Sequence, residues 1–87
     1  MNTLTLEFQG EEFIVDSFMC IYYNPYSGSD DWYKFHVSEL NNSHYHRLYK
    51  ELIQFQQNVG LTPSLNYEQF LSICERLFEM HCILRKM

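Results

Sequence analysis

The sequence predicts an α+β fold in the order β-β-β-α-α: a three-stranded antiparallel meander followed by two helices packed on one face of the sheet. The whole chain, residues 1–87, reads as a single domain, with the sheet over 3–37 and helices at about 44–59 and 67–86. Three observations carry this. Residues 3–8 alternate polar and apolar with period two, the pattern of a half-buried strand. From residue 45 the apolar residues recur every three or four positions, which is a helical stripe. After Pro63 a new set of helix-start residues appears.

The elements follow in order. Thr3, Thr5 and Glu7 alternate with Leu4, Leu6 and Phe8 in the first strand. Gln9, Gly10 and Glu11 make a turn in which Gly10 is free to take positive φ. Residues 12–23, rich in Ile, Val, Phe and Tyr, read as one long second strand in the middle of the sheet. Residues 24–31 collect Asn, Pro, Ser, Gly and Asp into a loop, and 32–37 form the third strand. Short connections favour antiparallel neighbours. In the first helix Tyr45, Leu48, Tyr49, Leu52, Ile53, Phe55 and Val59 form the stripe. Ser43 is placed to cap its start, Gly60 to end it, and Pro63 follows where a helix cannot continue. In the second helix Asn66 and Gln69 have the spacing of a capping box, with Leu65 and Phe70 placed as a hydrophobic staple. Phe70, Cys74, Leu77, His81 and Leu84 follow one stripe, and Arg85 and Lys86 suit the negative end of the helix dipole.

Strand alternation divides the sheet. Leu4, Leu6, Phe8, Phe13, Val15, Met19, Ile21, Tyr23, Tyr33, Phe35 and Val37 are expected to face the helices. The opposite set is Thr3, Thr5, Glu7, Glu12, Ile14, Asp16, Phe18, Cys20, Tyr22, Trp32, Lys34 and His36. Ile14, Phe18, Tyr22 and Trp32 are large apolar groups for a face that no helix covers. The neighbouring loop adds Tyr26, Asp30 and Asp31. Aromatic groups rimmed by charge have the composition of a protein–protein interface, with Tyr and Trp its usual anchors. Ile14, Phe18, Tyr22, Tyr26, Asp30, Asp31 and Trp32 are therefore the candidate partner-binding residues. Competing readings are a bulge in the second strand that reverses the alternation, a terminus folded over this face, or a homodimer that buries the same patch.

Composition limits the partner. With 46% hydrophobic and 17% aromatic residues, the chain has the material for a packed core and does not read as disordered. Its net charge of −5 is uneven. Residues 1–43 carry Glu7, Glu11, Glu12, Asp16, Asp30, Asp31 and Glu39 against Lys34 alone, a net of −6; residues 44–87 carry Glu51, Glu68, Glu75 and Glu79 against Arg47, Lys50, Arg76, Arg85 and Lys86, a net of +1. Direct nucleic-acid binding needs clustered cations, so the expected partner is a larger protein or ribonucleoprotein with a basic surface. Three dispersed cysteines, Cys20, Cys74 and Cys82, make no disulfide framework, and free thiols suit a reducing compartment. The start of the chain has no signal-peptide pattern, and no apolar run is long enough to span a bilayer. These features predict a cytoplasmic location (the host cytoplasm for a phage-encoded protein) and no membrane association.

Catalytic and metal chemistry find little support. No Cys-x-x-Cys or His-x-x-x-His pair is present, and Cys74 and His81 are seven residues apart, too far along a helix to share one zinc ion. No metal or cofactor is expected. A ribonuclease-type toxin is the enzymatic alternative, with His36, His44 or His46 as acid and base and Arg47 or Lys50 steadying a phosphate. In general character the chain resembles the compact, acidic, motif-poor inhibitors of phages and mobile elements, anti-CRISPR proteins and immunity or antitoxin proteins among them. That resemblance is one of composition. It implies a non-enzymatic inhibitor or modulator that occupies a functional surface of its target.

Overall fold

In the computed structural model, which describes residues 2–26, 28–63 and 65–86, strand β1 (Thr3–Phe8) turns back directly into β2 (Glu11–Asp16). Ser27, within the predicted 24–31 loop, lies outside the described residues. Phe8 faces Glu11 across a two-residue turn, and Gln9 and Gly10 both have positive φ. That is the type I′ geometry whose twist matches the strands it joins. β3 (Cys20–Asn24) pairs antiparallel with β2, and β4 (Tyr33–His36) with β3. The sheet order is β1-β2-β3-β4. A 3-10 turn at Val37–Glu39 leads to helix α1 (Tyr45–Asn58), and α2 (Tyr67–Arg85) follows.

The α+β class, the antiparallel meander and the two helices agree with the sequence, but the sheet has four strands rather than three. Residues 12–23 are not one strand. They fold back at Ser17, Phe18 and Met19, where Met19 takes the left-handed conformation with φ 66°. Asp16 makes this possible: its Oδ1 accepts hydrogen bonds from the backbone N–H of Phe18 and of Cys20, each at 2.9 Å. Met19 is thereby partly exposed in a turn instead of facing the helices. Asp16 is buried, its carboxylate being spent on the turn rather than on solvent. Beyond the turn the predicted faces survive. Val15 faces Ile21 and Phe13 faces Tyr23, so a three-residue loop keeps odd-numbered residues on one side through both strands.

That side is the core. Phe13, Val15, Ile21, Tyr23 and Phe35 are buried with Leu48 and Leu52 of α1 and with Phe70, Ile73, Cys74, Leu77 and Leu84 of α2. α2 lies over β1 and β2. α1 lies over β3 and β4, where Phe55 meets Tyr23 and Tyr33 at ring-centroid distances of 6.0 and 5.6 Å. The Tyr49 hydroxyl donates to the Leu65 carbonyl at 2.8 Å, which pins the helix connection.

The caps are mixed. At α2 the Asn66 Oδ1 accepts from Gln69 N–H at 2.8 Å and Gln69 Oε1 from Asn66 N–H at 3.0 Å, the predicted capping box. Leu65 and Phe70, the predicted staple pair, are both buried. At the end of α1, Gly60 (φ 85°) donates to the Gln57 carbonyl and Leu61 to the Gln56 carbonyl, a Schellman closure. Ser43 does not cap α1. The N-cap position is His44, without a side-chain cap bond, and the preceding turn is organised by Asn41, whose Oδ1 receives Ser43 N–H at 3.0 Å. A second capping box, unforeseen in the sequence, closes the 3-10 turn: His36 Nδ1 accepts from Ser38 N–H, and Glu39 Oε2 from His36 N–H.

Candidate protein-binding surface

Both helices cover one face of the sheet, so the other face carries what the strands alone supply. Cross-strand register arranges it in rows. Thr5 faces Ile14, Ile14 faces Tyr22, and Tyr22 faces Lys34, one row across all four strands. Ile14 and Tyr22 are half-buried at its centre. The Lys34 ammonium sits over the Tyr22 ring, 5.7 Å from its centroid, a cation–π contact. The Asp16 carboxylate, acting on the neighbouring Tyr22 hydroxyl, raises the tyrosine's pKa above its ordinary value, and desolvation adds to the shift.

A second row runs Glu7, Glu12, Asn24. Glu7 and Glu12 are direct cross-strand partners, and like charges in that position repel. Asn24 Nδ2 reaches Glu12 Oε1 at 3.4 Å. This row lies at the end of the sheet where the β3–β4 loop emerges, with Tyr26, Asp30, Asp31 and Trp32 all exposed. Ser29 holds the loop: its N–H donates to the Tyr26 carbonyl at 3.1 Å and its Oγ accepts from Asp31 N–H at 3.1 Å.

The seven candidate residues therefore fall into three places. Ile14 and Tyr22 touch the centre of the open face. Tyr26, Asp30, Asp31 and Trp32 form a loop cluster at its acidic end. Phe18, 68% exposed, projects from the β2–β3 turn at the opposite end. The five residues of β3 separate the two ends, roughly 13 Å at strand rise. Glu7, Glu12 and Lys34 belong to the surface too. The Glu7–Glu12 pair follows from the two-residue turn at Gln9 and Gly10, whereas the alignment of Glu12 with Asn24 depends on the hidden β2–β3 turn and that of Lys34 with Tyr22 on the β3–β4 loop.

The histidines occupy separate local structures. His36 Nδ1 is engaged by Ser38, His44 Nδ1 lies 3.0 Å from Asn41 Oδ1, and the His46 ring packs edge-on against Tyr67 at 5.8 Å. Among the described residues no hydrogen bond joins any two of them. Arg47 reaches Glu39 at 3.5 Å and Glu51 at 3.9 Å, and the Tyr33 hydroxyl donates to Glu51 at 2.6 Å, a polar strip along the β4 margin. Cys74 is buried and its thiol is pushed up to about 12 by desolvation, which keeps it protonated and unreactive. Among the described residues no group of three His, Cys, Asp or Glu side chains is placed to hold a metal ion, and no helix is long and apolar enough to cross a membrane.

Comparison with known proteins adds one match. A family model described as a domain of unknown function, DUF7200, matches residues 1–85. No curated protein and no solved structure matches the chain.

Proposed function

The chain belongs to the DUF7200 family, and we propose that it is a non-catalytic binding module that occupies a basic functional surface of a larger protein or nucleoprotein complex. The observation that carries this reading is the open face of the sheet, where Ile14 and Tyr22 sit opposite each other with no helix above them. Water contact with these apolar groups is unfavourable, and a partner surface removes it. The acidic end supplies direction. Glu7 and Glu12 repel each other in the free protein, and Asp30 and Asp31 stand nearby on the loop. A cationic partner relieves that repulsion and is drawn to it at long range. Tyr26 and Trp32, beside these acids, are anchors of the kind that supply most binding energy. Small size, acidity and the absence of a catalytic motif support an inhibitor or modulator acting in the cytoplasm, of the sort that phages and mobile elements carry as anti-CRISPR, immunity or antitoxin proteins.

The test is affinity capture from lysate with wild type, Tyr22→Ala and Trp32→Ala, followed by titration against the captured protein. Each substitution is expected to weaken binding at least about tenfold, or ~1.4 kcal/mol, with an unchanged thermal transition. Equal affinity for all three proteins overturns the site. RNA cleavage by the wild type that disappears in His46→Ala replaces the binding reading with a nuclease.

A further inference from the structure

The two edges of the sheet differ. β4 is four residues long, carries Lys34, runs into a 3-10 turn and is flanked by the Arg47–Glu39–Glu51 strip. Such features discourage the addition of another strand. β1 has six residues in continuous register with β2, with no proline, no lysine and no bulge. The two-residue turn decides which way its backbone points. Phe8 and Glu11 close that turn as a mutually hydrogen-bonded pair, and such pairs alternate along an antiparallel ladder. Leu4, Leu6 and Phe8 thus direct their N–H and C=O groups to β2. Thr3, Thr5 and Glu7 direct theirs outward, to the free edge.

We propose that β1 pairs antiparallel with β1 of a second copy of this chain, about a two-fold axis through Thr5, to make one continuous eight-stranded sheet. In this register Thr5 meets Thr5, and Thr3 meets Glu7 of the second copy, so every outward-turned group finds its complement and no like charges are opposed. Leu4 meets Leu6 of the second copy on the helix side. Leu4, Leu6 and Phe8 are only partly buried in the single chain. A groove of about 340 Å³ lies beside them, lined by Leu6, Glu7, Phe8, Gln69, Ser72, Ile73 and Arg76. The pairing closes that groove.

Helix placement agrees. α2 lies over β1 and β2. With strands about 4.8 Å apart, the two copies of α2 stand roughly 10 Å apart across the axis, at helix-packing distance. Charge selects the occupant. In a chain of net charge −5, the groove and its strand balance Glu7 against Arg76. With its one carboxylate matched by one guanidinium, this seam does not repel a second copy.

The experiment is sedimentation equilibrium over a concentration series, with amide hydrogen exchange at low and high concentration. Wild type is expected to approach twice 10.6 kDa, with the Thr3, Thr5 and Glu7 amides protected at high concentration and released on dilution. Thr5→Pro deletes an N–H that β2 does not use. It is expected to sediment at 10.6 kDa with the circular dichroism of wild type. Wild type that stays monomeric throughout overturns the proposal, as does a dimer whose Thr5 amide exchanges freely. Protection of the β1 amides that appears only on adding a different protein assigns the edge to that protein and also overturns it. The exchange measurement on wild type decides the matter even if Thr5→Pro fails to fold.

Discussion

Glu11 is a carboxylate at an inward position of β2, where the side chains of Tyr23 and Gln56 donate to it. The Tyr23 hydroxyl donates to Glu11 Oε1, and Gln56 Nε2, from α1, reaches both Glu11 Oε1 at 2.7 Å and the Tyr23 oxygen at 2.6 Å. Burial, then the Glu11 carboxylate, push the Tyr23 pKa far above the ordinary tyrosine value, so the hydroxyl keeps the proton that it donates. Removing the amide leaves a buried charge short of a donor. Gln56→Ala is expected to cost about 2–3 kcal/mol, read as a lower urea midpoint at unchanged slope; an unchanged midpoint refutes the role. His81 is the opposite case. It is buried on α2 beside Phe78, and its Nδ1 has no hydrogen-bond partner among the described residues. Burial lowers its pKa, and the charges of Arg85 and His36 lower it further. The unfolded chain therefore takes up the proton first as pH falls. The His81 contribution to stability is complete above the unfolded value of about 6.5 and declines below it. His81→Leu is expected to flatten the fall in melting temperature between neutral and mildly acidic pH. A wild-type slope retained in the variant shows that other groups set it.

The turn between β2 and β3 has no glycine, which explains why the sequence conceals it. A three-residue hairpin loop needs a left-handed residue, a position usually given to Gly. Here Met19 occupies it, and Asp16 compensates by taking two backbone N–H groups. The Met19 carbonyl also accepts Val37 N–H at 2.9 Å, which ties the turn to the end of β4. Asp16→Ala is expected to destabilise the domain by about 1–3 kcal/mol, as an N-cap loss does or somewhat more. Met19→Gly is expected to stabilise it by about 1 kcal/mol through release of the left-handed strain. Thermal unfolding of the pair checks both, and equal effects of the same sign refute this account of the turn. Other elements were legible locally. The Asn66–Gln69 box and the Gly60 stop depend on residues within one turn of the helix end, so spacing alone reveals them. Ser43 misled because Asn41, two residues earlier, holds the backbone first.

At the scale of the molecule, the helices lie on one side of a sheet whose other side stays open, and function is proposed for the open side and the β1 edge. Periodicity determined most of the frame. Alternation in 3–8 and the three-to-four spacing from Tyr45 identify strands, helices and the inward set, because side-chain direction follows from backbone geometry alone. The odd loop at 17–19 preserved that inward set, Met19 excepted, even where one predicted strand became two. What only the tertiary structure decided are relations between distant segments. Phe18 and Trp32 belong to one alternating set yet stand at opposite ends of the sheet. Lys34 covers Tyr22, and Gln56 crosses from α1 to donate to a buried Glu11. Register and docking set these pairings, and both arise from the free energy of packing the whole core, which no local window of sequence contains.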